Sequence, residues 1–97
     1  MRTAVLTQTA KEDLEQIASF LEETQSNRAK ISFLQAFSER LVLIEQMPFM
    51  YQASAKNPDV RRCLIHKNAA CFYRVTDQHV LILTVIDTRV DPEKLLF

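Results

Sequence analysis

Glycine is absent from all 97 residues of this chain. That excludes the Gly-rich loops that cradle phosphates and the strained nucleophile elbow, because both need backbone that only glycine adopts easily. Tryptophan is absent as well, and there are only three prolines and two cysteines. Turns must therefore be made by Asn57, Asn68, Asp77 and the prolines. No apolar run approaches the roughly 20 residues that cross a bilayer, and the N-terminus has no signal-peptide core, so a cytoplasmic location with no membrane contact is expected. In a reducing compartment Cys63 and Cys71 are expected to be reduced, small apolar residues. Two cysteines and two histidines at these spacings match no ligand pattern, so neither a metal nor another cofactor is expected.

What is present is a core and an uneven charge. Hydrophobic residues make up 47% of the chain and charged residues 25%, with a formal net charge of zero. One domain spanning 1–97 is expected, large enough to fold without staples. Residues 11–47 hold seven acids against four bases, and residues 56–94 hold seven bases against five acids. The split describes a polar molecule with one face attractive to anions. A pI near 6.7 is low for a protein that grips nucleic acid through phosphates.

Residues 3–7 (TAVLT) are β-branched and short, which predicts a first strand. Thr9 and Glu12 have the spacing of a capping box, opening a helix with Ala10, Leu14, Ile17, Ala18 and Leu21 on one stripe and an end near Glu23 or Thr24. Ser26 is placed to cap a second helix, striped by Phe33, Phe37, Leu41 and Ile44 and stopped by Pro48. Together they predict an antiparallel αα-hairpin. Residues 48–59 follow as one long aperiodic loop, with Phe49, Met50 and Tyr51 expected to pack beneath it or along the helices.

Three strand-like runs come last: VRRCLIH, AACFYRVT and HVLILTVIDTRVDP. A turn at Asp77-Gln78 pairs Arg74 with Leu81 and Phe72 with Leu83. That sets Leu81, Leu83 and Val85 on one face and Val80, Ile82 and Ile86 on the other. A strand apolar on both faces is covered on both sides. The hairpin covers one, leaving the other to residues 91–97, a second subunit or a partner. A two-residue turn at Lys67-Asn68 pairs 64 with 71 and puts the two sulfurs on opposite faces; a one-residue change there brings them together, so a Cys63–Cys71 disulfide stays open as an alternative to two reduced thiols. The fold class is therefore α+β in the order β-α-α-β-β-β, a three-stranded antiparallel meander packed on the helices.

These registers place Arg61 opposite Arg74 on one face and Arg62 beside Tyr73 on the other. Like charges directly opposite destabilise a sheet unless something sits between them. Three readings stay open: both fan into water, Arg74 pairs with a helix carboxylate, or the pair binds a phosphate or an acidic segment through guanidinium forks. His66 and His79 lie beside turns without a nucleophile at a usable spacing, and read as solvated.

The words FYRVTDQHVLILTVIDTRVDPEKL, with VRRCLI and AKEDLEQIASFLEE before them, resemble the RelE/ParE superfamily, the toxins of type II toxin–antitoxin systems. The resemblance covers nearly the whole chain and rests on the order and spacing of short words. It implies a cytoplasmic toxin held by a cognate antitoxin, with Arg61, Arg62, Tyr73, Arg74 and Arg89 as partner-binding residues. The ParE-like branch, favoured by the longer helical hairpin, implies poisoning of DNA gyrase by direct binding without catalysis. The RelE-like alternative implies a ribosome-dependent endoribonuclease on mRNA, in which Arg61, Arg74 and Arg89 stabilise the phosphate. Against that alternative, Ala70 stands where a ribonuclease strand carries arginine, and Leu96 and Phe97 stand where an aromatic acid–base residue is expected. A degenerate toxin kept as a binding module is a third reading. A homodimer or a toxin–antitoxin hetero-oligomer is compatible with all three.

Overall fold

The computed structural model of the chain describes residues 2–88. Strand β1 (Thr3–Leu6) leads into helix α1 (Gln8–Thr24) and helix α2 (Asn27–Gln46), and strands β2 (Val60–His66), β3 (Ala69–Val75) and β4 (His79–Asp87) complete the order. The last three strands are antiparallel neighbours, as the alternation requires. β1 joins β4 in parallel, giving a four-stranded mixed sheet in the order β1-β4-β3-β2. The helical hairpin lies on one face. Phe33, Phe37 and Ile44 of α2 meet Cys63, Ile65, Cys71, Tyr73, Val80, Ile82 and Val85 of the sheet, with Ala10, Leu14, Ile17 and Leu21 of α1 beside them.

The expected capping box at Thr9 and Glu12 does not form. Thr7 is the N-cap of α1, its extended backbone (φ −68°, ψ 165°) preceding the first turn and its Oγ accepting from the Ala10 N–H at 3.2 Å. The same hydroxyl lies 2.9 Å from the Ile82 carbonyl and 3.0 Å from that of Leu83, so one side chain caps the helix and fastens it to β4. That double use outweighs the Thr9 spacing, which had only local bonds to offer. Ser26 caps α2 as expected, accepting from the Ala29 N–H at 3.0 Å. Pro48 follows just past the end of α2. It is buried, and its carbonyl accepts from the Tyr73 hydroxyl at 2.6 Å.

Two bulges correct the expected registers. In β4, Tyr73 pairs with Ile82 but Phe72 pairs with Thr84, so Leu83 is the extra residue. Val85 therefore turns to the core with Val80 and Ile82, where strict alternation put it on the opposite face. A bulge leaves a ladder N–H without its usual partner. The Asp13 carboxylate of α1 receives the Val85 N–H at 3.1 Å and the Thr84 hydroxyl, so the irregularity is tied to the helix. In β2, Leu64 pairs with Ala70 and His66 with Ala69 around the Lys67-Asn68 turn, leaving Ile65 unpaired yet buried. That one residue moves the rest of β2 along. It sets Cys63 opposite Cys71, Arg61 opposite Tyr73, Arg62 opposite Phe72 and Val60 opposite Arg74.

Candidate functional site

The β2 bulge decides where the arginines go. Arg61 and Arg74 do not face each other: cross-strand partners share a face, so Arg61 stands on the helix side with Tyr73, and Arg74 stands on the far side with Val60 and Leu81. The electrostatic conflict read from the sequence is thereby removed without any anion.

Arg61 is used locally. Its Nη1 donates to the Tyr51 carbonyl at 2.6 Å and to the Phe49 carbonyl at 3.4 Å, and its guanidinium carbon stands 5.1 Å from the centroid of the Phe49 ring. Arg2 stands over the same ring at 5.5 Å, and its Nε donates to the Thr76 carbonyl at 2.7 Å. A cation over an exposed ring contributes about 0.5–1 kcal/mol. Backbone pairing completes the fastening: the Arg62 N–H donates to the Gln52 carbonyl at 3.0 Å and the Ser54 N–H to the Val60 carbonyl at 2.7 Å. Arg61 thus clamps the long loop against β2. Phe49 and Met50 were expected beneath that loop or along the helices, but they are exposed at 58% and 50%, and of the three only Tyr51 turns inward against the core. Nothing in the local sequence marked Arg2 as Phe49's second cation, since the contact joins residues 47 positions apart.

Tyr73 has no exposed surface. Burial raises its phenol above the ordinary tyrosine value, keeping the hydroxyl a donor to Pro48. It is a post beneath the loop, and no partner reaches it while the fold is intact. Arg62 and Arg74 are the arginines that face outward, diagonal neighbours on the far side of the sheet. Among the described residues neither has an ion-pair partner. Beside them on β2, Leu64 is 49% exposed. Arg89 lies outside the described residues, as does the proposed cover from residues 91–97.

On the helix side, a cavity of ≈ 690 Å³ opens between the C-terminal half of α1, the start of α2 and the β2–β3 turn. Ile17, Phe20, Leu21 and Phe33 make its apolar floor, and His66 and Asp87 stand at its polar rim. His66 is exposed there, as a solvated turn residue should be. Among the described residues, no group of three or more His, Cys, Asp or Glu side chains is arranged to hold a metal ion. No helix among them is long and apolar enough to cross a membrane.

This order of elements and the arginine-bearing meander coincide with one family model, the ParE toxin of type II toxin–antitoxin system, parDE, which matches residues 4–92. The chain belongs to the ParE toxin family. Solved structures agree on the fold. The chromosomal ParDE TA system from P. aeruginosa matches with a TM-score of 0.80 at 18% identity, covering 92% of this chain and 98% of that one. The YoeB/ParE toxin from Agrobacterium tumefaciens matches at 0.65 and 14% identity, over 88% of this chain and 97% of that one. The YoeB dimer from Staphylococcus aureus matches at 0.61 and 14% identity, over 86% and 92%. No curated protein is a significant match to the chain. Membership in a type II family implies a cognate antitoxin for this ParE-family chain.

Proposed function

We propose that this ParE-family toxin is a single domain spanning 1–97 that acts by binding DNA gyrase, and that the antitoxin silences it by covering the outward residues Arg62, Leu64 and Arg74 and the open edge of the sheet. The observation that supports binding over RNA cleavage is the dispersal of the arginines. Stabilising a phosphate in flight needs several charged donors aimed at one point. Arg61 is engaged by loop carbonyls on the helix side, while Arg74 stands on the opposite face. Ala70, at the position where a ribonuclease strand carries arginine, is fully enclosed.

Val60, Ala70 and Phe72 on the far face are buried, but the exposed patch of Arg62, Leu64 and Arg74 toward the outer edge suits an extended acidic segment. Arg62 and Arg74 offer two exposed guanidinium forks without an ion-pair partner among the described residues, and Leu64 offers apolar surface beside them. Next to Leu64 the outer edge of β2 pairs with no other strand among the described residues, so a partner strand can add main-chain hydrogen bonds there. The cavity on the hairpin side is a second apolar landing site for the same antitoxin. Of the five arginine and tyrosine positions taken from the resemblance, Arg62 and Arg74 carry this proposal; Arg61 and Tyr73 support the loop.

Supercoiling by purified gyrase tests the reading. The toxin at a small molar excess is expected to inhibit it, with relief on adding the cognate antitoxin. No inhibition at that excess refutes gyrase as target, and codon-linked cuts in translated mRNA during growth arrest establish the ribonuclease alternative.

A further inference from the structure

The chain's two cysteines stand directly opposite each other on β2 and β3, both free and both fully enclosed. The bulge at Ile65 is what brings them to one face. Backbone directions define the pairing more closely. The Val60 carbonyl and the Arg62 N–H point outward to residues 54 and 52, so the alternate residue, Cys63, aims its own N–H and carbonyl at β3. Such a hydrogen-bonded pair holds its Cα atoms about 5.5 Å apart. That lies inside the window of roughly 4.4–6.8 Å that a disulfide spans.

The two thiols face each other across the ladder, with the Cys63 Sγ 3.7 Å from the Leu64 carbonyl, and the surroundings treat them unequally. The neighbouring Cys71 thiol holds the Cys63 pKa down to about 7, against the opposing effect of burial and with help from the Tyr51 hydroxyl and the Arg40 guanidinium. The Cys71 thiol is pushed well up, first by the neighbouring Cys63 sulfur and then by burial. Cys63 is thus the more readily ionised sulfur, and Cys71 keeps its proton. Tyr51 belongs to the loop clamped by Arg61, and Tyr73 stands close to both sulfurs.

We propose that Cys63 and Cys71 are a redox pair that a peroxide closes into a reversible disulfide between β2 and β3, with access controlled by the Tyr51 loop. The Cys63 thiolate attacks one peroxide oxygen, the O–O bond breaks, and the departing hydroxide takes a proton to become water. Cys63 is then a sulfenic acid. Cys71 attacks that sulfur, the S–S bond forms and the S–O bond breaks, and the hydroxide released combines with the Cys71 proton as a second water. Two thiols have given two electrons to one peroxide. A dithiol reductant restores the pair by exchange. The cross-link fixes the bulged register beside the open edge of β2, so the oxidised protein presents that edge more rigidly.

Intact-mass measurement on the full chain tests this. After hydrogen peroxide and then a thiol alkylator under native conditions, the expected product has lost two hydrogens, takes up no alkyl group, yields one peptide pair joined through Cys63 and Cys71, and reverts with dithiothreitol. The rate of closure is expected to rise as pH passes about 7, below the ordinary thiol range. A Cys71→Ser chain is expected to stop at a sulfenic acid on Cys63 that dimedone traps. Arg61→Ala is expected to close faster by on the order of fivefold, the factor for losing one ordinary hydrogen bond from the closed loop. Two alkylatable thiols after native peroxide treatment, or sulfinic acid on Cys63 without a cross-link, overturn the proposal.

Discussion

Along its seven residues β2 passes through two different environments, although its sequence gives little sign of the change. From Val60 to Arg62 the outer edge is occupied: residues 52–54 pair with it, Ala53 bridges Arg61, and the Arg61 guanidinium reaches over to the Tyr51 carbonyl. From Leu64 to His66 the same edge pairs with no other strand among the described residues, and Leu64 is half exposed. An unpaired edge invites a strand from another molecule, and proteins usually block it with charge or a covering segment. Here one half is covered from within, and the other is left for a partner. The opposite edge of the sheet makes the same contrast. On β1 the outward Ala4 N–H is taken by the Glu45 carboxylate of α2 at 2.7 Å.

Removing the post beneath the covered half of β2 has the largest expected effect. Tyr73→Ala empties a fully buried site and frees the Pro48 carbonyl, and is expected to cost about 3–5 kcal/mol in urea denaturation. Tyr73→Phe keeps the volume and loses only the hydrogen bond, at about 1 kcal/mol. If both variants lose the same amount, the bond to Pro48 and not the packing holds the loop. Next in size is Asp13→Ala. It leaves the Val85 N–H and the Thr84 hydroxyl at the β4 bulge without their acceptor, at about 1.5–3 kcal/mol by the same measurement. A loss below half of that range means the bulge keeps its register without the helix.

Much of this was legible in the sequence, because it follows from periodicity and punctuation. Phe33, Phe37 and Ile44 fell on the buried stripe of α2, Ser26 and Pro48 marked its ends, and Asp77-Gln78 set the last turn. The bulges were not legible. Leu83 and Ile65 are ordinary apolar residues in ordinary strand positions, and no residue type announces that a pairing partner will be skipped. Yet each shift of one residue reversed a face, since side chains alternate with a period of two. That is why Val85 and the Arg61–Arg74 pairing were misplaced, and why the two placements of Cys63 relative to Cys71 could not be decided from the sequence. Thr7 was missed for a related reason: its advantage over Thr9 comes from carbonyls of β4, some 75 positions away.

Adjacent arginines sharpen the contrast further. Arg61→Ala removes two carbonyl contacts and the cation over Phe49, and is expected to lower stability by about 1–1.5 kcal/mol. Arg62→Ala, one residue along and solvated, is expected to stay within about 0.5 kcal/mol. Calorimetric titration with the antitoxin should rank them the other way, with Arg62→Ala weakening binding and Arg61→Ala close to the parent. Equal losses of affinity would mean that the clamp and the partner share one surface.

The smallest expected change in the free protein is at Leu64, and it separates the two halves of β2 most cleanly. Leu64→Lys puts a solvated charge on a residue already 49% exposed, so stability should move by no more than about 0.5 kcal/mol. A lysine at an open edge discourages a second strand, because its charge must be desolvated or paired when the strand arrives. If the bare half is where the antitoxin adds its strand, affinity should fall by about tenfold or more, corresponding to about 1.4 kcal/mol. The fall should persist at high salt, because the ladder bonds and apolar contact it removes are not screened. A loss confined to low salt would point to Arg62 and Arg74 alone as the contact, since exposed charges interact within a Debye length of about 10 Å at 0.1 M.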